Sequence, residues 1–124
     1  LAEMKRVCVS NGIVLLVDVS VDDSKIRKYN KMEKIRDCSH VAALSITEFA
    51  TLFGKNGFKN LSTDFYLMKI ELEEQLKASF PSDTDALKNM IIGDVGLNDL
   101  GINVIKENDE YFLYYPIHIF SASK

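Results

Sequence analysis

Five consecutive residues hold most of the chemistry this chain offers: Arg36-Asp37-Cys38-Ser39-His40. They set a guanidinium, a carboxylate, a thiol, a hydroxyl and an imidazole in a row. A Cys38–His40 nucleophile pair is one conceivable use. Residues this close in sequence rarely take that geometry, and neither a nucleophile elbow nor an oxyanion loop accompanies them. A metal centre is the second use. Cys38 and His40 do not share a helix face, and Cys8 and His118 are the only further thiol and imidazole, so no zinc set is announced. The third is proton transfer, or binding of a small polar molecule, by Arg36, Asp37, Ser39 and His40. A purely structural arrangement stands beside it: Asp37 caps the turn at His40 while Arg36 pairs with Asp37.

The neighbouring elements must position this run. Gly12 to Val19 (GIVLLVDV) reads as a strand. Ile13 to Val17 are apolar without alternation, the pattern of a strand buried on both faces, typically in a parallel sheet. Asp18 falls at its carboxyl end, where open α/β sheets bind ligands. Val21-Asp22-Asp23-Ser24 is a polar connection able to cap a helix. Lys25 to Arg36 spaces Ile26, Tyr29, Met32 (or Glu33) and Ile35 at a helical period. Beyond the run, Ser45-Ile46-Thr47-Glu48 is a capping-box pattern, with Leu44 and Phe49 in the staple positions. Phe49, Leu52 and Phe53 form its apolar stripe. Gly57 suits a left-handed stop that brings Phe58 onto Phe53. The spacing predicts a helix from about Ile46 to Asn56.

The rest reads as sheet and cover. Leu1, Met4 and Val7, with Lys5 and Arg6 between them, read as the end of a helix. Asn11-Gly12 is a turn signal. Lys59 to Ile70 is a strand rich in β-formers, Glu71 to Ser79 a short helix, and Thr84 to Val95 another. Ile102 to Lys106 and Tyr111 to Phe120 flank the polar turn Glu107-Asn108-Asp109-Glu110, a hairpin pattern. Pro116 cannot donate to a ladder, so the last central strand is expected at Ile117 to Ala122. Tyr111, Tyr114 and Tyr115 are read as sheet packing rather than pocket walls, and His118 as a satisfied structural histidine. Cys8 reads as a small buried hydrophobe.

Composition excludes several classes. The chain has 124 residues, 47% hydrophobic and 27% charged, enough for one small domain with a core and unlike a disordered segment. A net charge of −3 leaves no basic surplus for nucleic acid. No apolar run approaches the ~20 residues of a membrane span. Two cysteines are too few for a disulfide scaffold, which points to a reduced, cytoplasmic setting. The glycines form no phosphate-cradling pattern, and none sits between a strand and a helix start. Leu1 in place of Met, and a first helix that reads as an ending, lead us to expect an incomplete chain.

Glu3-Met4-Lys5-Arg6-Val7, Asn11-Gly12 and Ile13-Val14-Leu15-Leu16-Val17-Asp18 together resemble the E-x-x-R-V-L-x-x-G-G-x-x-x-x-x-D segment of class I S-adenosylmethionine-dependent methyltransferases. Glu33-Lys34-Ile35-Arg36-Asp37-Cys38-Ser39-His40-Val41, with Leu44-Ser45-Ile46-Thr47-Glu48-Phe49 and Gly57-Phe58, is similar to the E-x-x-R-D-x-S-H-x-R-x-L-S-x-x-E/D-W and A-G-F run of their small-molecule branch. That branch includes the ubiquinone and menaquinone biosynthesis enzymes. Tyr115 to Lys124 resembles the branch's last strand. The likeness spans nearly the whole chain in the correct order. Arg-Asp-x-Ser-His is its fairly specific part.

The resemblance implies an α/β fold: the C-terminal part of a Rossmann-like methyltransferase fold, strands five, seven and six with flanking helices. The last strand would enter antiparallel between the other two. Residues 1–124 would be a single domain lacking the cofactor-binding N-terminal half. The parent would transfer a methyl group from S-adenosylmethionine to a small-molecule acceptor. His40 would serve as base with Asp37 orienting it, and Arg36 and Ser39 would hold the acceptor. This segment would bind no cofactor and no metal, and would be inactive alone. An arginine usual after the His-Val pair is Ala42 or Ala43 here. The alternative is a non-catalytic α+β ligand-binding or interaction module. The strand at Ile13–Val17 would lack its neighbour, so its edge should recruit another copy as a homo-oligomer.

Overall fold

The computed structural model describes residues Leu1–Lys124. In chain order its elements are α1 (Ala2–Val7), β1 (Ile13–Val19), α2 (Ile26–Arg36), α3 (Ile46–Lys55), β2 (Lys59–Glu71), α4 (Leu72–Lys77), α5 (Thr84–Ile92), β3 (Ile105–Glu107) and β4 (Glu110–Ser123). Strand order is β1-β4-β2, with β3 paired to β4 as a hairpin. β4 runs antiparallel to both of its long neighbours, so β1 and β2 run parallel to each other. The hairpin turn is Asn108-Asp109, both at positive φ (47° and 66°), the turn whose twist matches its flanking strands.

Alternation along β4 separates two cores, since successive side chains point to opposite faces. Leu113, Tyr115 and Ile117 face one way, against Tyr29 and Met32 of α2, Leu72 of α4, and Leu87 and Ile91 of α5. Phe120 and Ala122 face the other way and pack with Val14, Phe49, Phe53 and Phe58. Register carries this into β1: Val14 lies opposite Ala122 and Leu16 opposite Phe120. Ile13, Leu15 and Val17 therefore turn to the other face, where no helix covers them; they are 70%, 60% and 56% exposed. The expectation that this strand is buried on both faces of a parallel sheet is thus corrected. β1 pairs only with β4, antiparallel, and its outer edge is unpaired in this chain.

Pro116 corrects a second expectation, because β4 runs unbroken from Glu110 through it to Ser123. In a strand the N–H and C=O of one residue point to the same neighbour. The Pro116 carbonyl accepts from the Ser20 amide at 3.2 Å, so its nitrogen also faces the β1 side. The β1 ladder has already ended there, at Val19 opposite Ile117. No donor is missed. His118 departs from expectation too. It is buried and stacks between Phe65 and Phe120, yet its Nδ1 has no hydrogen-bond partner.

Local signals place the helices. Ser45 Oγ accepts from the Glu48 amide (3.2 Å) and the Glu48 carboxylate accepts from the Ser45 amide (2.7 Å), closing the capping box. Gly57 stops α3 at φ +69°, the Phe58 amide donates to the Phe53 carbonyl, and their rings meet edge-on at 5.5 Å. Lys5 of α1 donates to the carbonyls of Asn56 and Gly57 at 2.7 and 2.9 Å, tying α1 to the end of α3. The connection into α2 differs from the expected side-chain cap. The Asp22 carbonyl accepts from the Lys25 and Ile26 amides instead. Replacing Ser45 by alanine is expected to cost about 1 kcal/mol by loss of the box. Urea unfolding checks this; a midpoint unmoved by Ser45→Ala would mean the box adds nothing to the helix's docking.

Candidate functional site

A cavity of about 360 Å³ opens at the carboxyl end of β1, between α2, α4 and the central strand. The face of α2 that lines it is set by helical geometry, because Tyr29, Glu33 and Arg36 recur at four- and three-residue steps. Asp18 and Val19 of β1, Met68 of β2, Gln75 of α4 and Tyr115 of β4 complete the walls, together with His40, Ala42 and Ala43 of the segment after α2.

Glu33 is the unusual member. It is buried at 4% exposure on a helix face otherwise given to core residues. Arg36 donates to it through Nε (2.8 Å) and Nη2 (2.6 Å), both to Oε2. That carboxylate raises the Arg36 guanidinium above its ordinary value. Oε1 is buried with no partner. Burial pushes the Tyr29 and Tyr115 phenols up, and Glu33 adds to both shifts, so both hydroxyls stay neutral. Gln75 Nε2 donates to the Tyr115 hydroxyl at 3.2 Å.

The segment at residues 37–45 has no regular structure, yet α2 holds it at several points. Asn30 Nδ2 donates to the Ala43 carbonyl (3.0 Å), while Asn30 Oδ1 accepts from the Ala43 amide (2.6 Å). Lys34 Nζ donates to the carbonyls of Cys38 (2.6 Å) and His40 (2.8 Å). Ser20 Oγ donates to the Leu44 carbonyl at 2.9 Å. Because Asn30 reads a backbone amide and a backbone carbonyl together, its own orientation is settled. Its Oδ1 lies 2.8 Å from His40 Nε2. An amide oxygen only accepts, so Nε2 carries the hydrogen, and a neutral imidazole keeps its lone pair on Nδ1.

The four residues singled out in the sequence divide. Arg36 and His40 line the cavity; Asp37 and Ser39 do not. Asp37 Oδ1 accepts from the Ser39 amide (2.8 Å) and hydroxyl (2.6 Å), which lowers the Asp37 carboxyl below its usual range. The hydrogen-bond partner of the His40 imidazole is Asn30, with Asp37 reaching His40 only through its backbone carbonyl, and the ion-pair partner of Arg36 is Glu33. Sequence reasoning passed over Tyr29, Asn30, Glu33 and Gln75 as site residues and read Tyr115 as packing. One signal was available: a carboxylate at a core-facing position of the α2 stripe. Nothing local announces Gln75, whose contact with Tyr115 is made across 40 residues.

No protein-family model matches the chain, and no curated protein matches it significantly. Solved structures do. A candidate methyltransferase of Bacillus halodurans C-125 superposes with a TM-score of 0.84 at 21% identity, over 99% of this chain and 55% of its own. The YcgJ protein of Bacillus subtilis superposes with a TM-score of 0.81 at 20% identity, again over 99% of this chain and 55% of its own. Likeness at this identity shows the fold: the chain has a methyltransferase-like α/β fold. It spans about half the length of the structures it matches.

Proposed function

We propose that this chain supplies the acceptor side of an S-adenosylmethionine-dependent methyltransferase, the C-terminal half of its fold, and that the methyl acceptor is a small molecule. The observation that carries the proposal is the cavity at the carboxyl end of β1. It brings His40, Arg36 and buried Glu33 together on a methyltransferase-like sheet. In that sheet β4 lies antiparallel between β1 and β2, the arrangement the resemblance implies for strands five, seven and six.

The cofactor does not fit this chain. The turn from β1 into α2 contains Asp22 and Asp23 and no glycine, and the Asp22 carbonyl already takes the Lys25 and Ile26 amides, so it offers no glycine-rich cradle at a helix start. The residues that hold the methyl donor are assigned to the other half of the parent. What this chain does is bind, orient and exclude water. Arg36 and Glu33 set the charge at the cavity wall, Asn30 holds His40 in one tautomer, and His40 Nδ1 is the base for an acceptor proton.

In the full-length protein, methyl transfer from labelled S-adenosylmethionine is expected, with His40→Ala slowing turnover by about 10²–10⁴-fold. No transfer by the wild type to any small-molecule acceptor would end the proposal, and unchanged turnover in the variant would end the assignment of the base. Calorimetry on residues 1–124 is expected to show no binding of S-adenosylmethionine. Tight binding there would overturn the assignment of the cofactor to the other half. The same cavity suits a second reading, a non-catalytic ligand-binding module. A strand and glycine-rich loop encoded upstream of Leu1 would decide for the enzyme, an unrelated domain for the module.

A further inference from the structure

We propose that the cavity receives an ammonium group, so that the small molecule it takes is a primary amine. This rests on the preceding reading only in calling that molecule the methyl acceptor. Glu33 carries the inference. Both guanidinium contacts from Arg36 land on Oε2, at 2.8 and 2.6 Å, and leave Oε1 buried without a partner. A buried carboxylate oxygen so placed is costly until a donor reaches it. No side chain of this protein does so, and Gln75 directs its amide to Tyr115 instead.

A hydroxyl could also donate to Oε1, and charge decides between the two. Asp18 and Glu33 set two carboxylates against the single guanidinium of Arg36, and Ala42 and Ala43 bring no cation to the wall. A ligand carboxylate or phosphate meets surplus negative charge there. An ammonium brings the missing charge and three donors. Held against a carboxylate, its nitrogen keeps its protons and has no lone pair. The ammonium is therefore the handle of the molecule, and a second atom, toward His40, is the one that reacts.

The test titrates this chain with three probes of one shape, followed by NMR: 2-phenylethylamine, 2-phenylethanol and 3-phenylpropionate. The amine is expected to bind saturably, about tenfold or more tighter than the alcohol, with the acid weakest. Glu33→Gln is expected to lose about tenfold of the amine affinity. That variant also disturbs Arg36, so Ala42→Arg provides a second. Ala42 is an exposed residue on the cavity wall, and a cation there is expected to weaken the amine about threefold or more without touching the core. Equal binding of amine and alcohol, tighter binding of the acid, unaltered binding in both variants, or no saturation by the amine below about 10 mM overturns the inference. Amine binding without methyl transfer in the full-length protein would sink the enzymatic reading and leave this one standing. Transfer to an acceptor that carries no amine would do the reverse.

Discussion

An Arg36→Ala variant is expected to lose about 2–3 kcal/mol of stability, a fall in Tm of about 10 °C for a chain of this size. The Glu33 side chain is 5% exposed and its only hydrogen-bond partner is Arg36. Removing the guanidinium leaves a buried carboxylate with neither oxygen satisfied. Breaking a fully buried pair costs about 3–5 kcal/mol. The figure here is lower because the Arg36 side chain is 27% exposed. The paired variant Glu33→Met with Arg36→Met removes both charges and keeps most of the volume, so it is expected to lose less than Arg36→Ala alone. Urea and thermal unfolding of the two proteins decide. A double variant as unstable as the single one would mean that packing, and not the uncompensated charge, sets the loss.

Phe120→Ala is expected to be the most damaging single change, at about 3–5 kcal/mol. The ring is fully buried on β4, with Phe49 at 4.6 Å, His118 at 6.0 Å and Phe53 at 6.1 Å between centroids. It is the contact through which α3 docks on the sheet, so its loss removes transfer energy, opens a cavity and breaks three ring pairs together. Leu15→Ala on the opposite, uncovered face is the matched comparison, expected within about 1 kcal/mol of wild type because that side chain is 60% exposed. Similar urea midpoints for the two variants would show that the covered and open faces are wrongly assigned.

The contrast between Phe120 and Leu15 shows how far each part of the molecule could be read from the chain alone. α3 was legible entirely, because its box, stripe and glycine stop are written within thirteen residues, Ser45–Gly57, and each satisfies a backbone group beside it. The α2 stripe was legible as a period, but Met32 and Glu33 were interchangeable on it; the structure buries both, at 0% and 4%. β1 was legible as a strand and misread as to its cover. An unbroken apolar run says that both faces are apolar, and says nothing of whether anything lies against them. Pro116 reads in the sequence as a break before a strand at Ile117, yet its missing donor counts only on the side where a ladder continues, and the end of β1 settles that side.

The same division holds at the candidate site. Residue type and spacing alone located the polar run Arg36–His40 at the carboxyl edge of the first strand, after a helix and before a capped one. They also carried the likeness to a methyltransferase fold that superposition bears out. Only the tertiary structure decided which of those residues reach a cavity: Arg36 and His40 do, while Asp37 turns to Ser39. It alone supplied their partners, Glu33 and Asn30, and the far wall from Gln75 and Tyr115. The reason is range. Caps, turns and periods are settled by groups a few residues apart, whereas a buried charge and a cavity exist only where segments distant in sequence close over them.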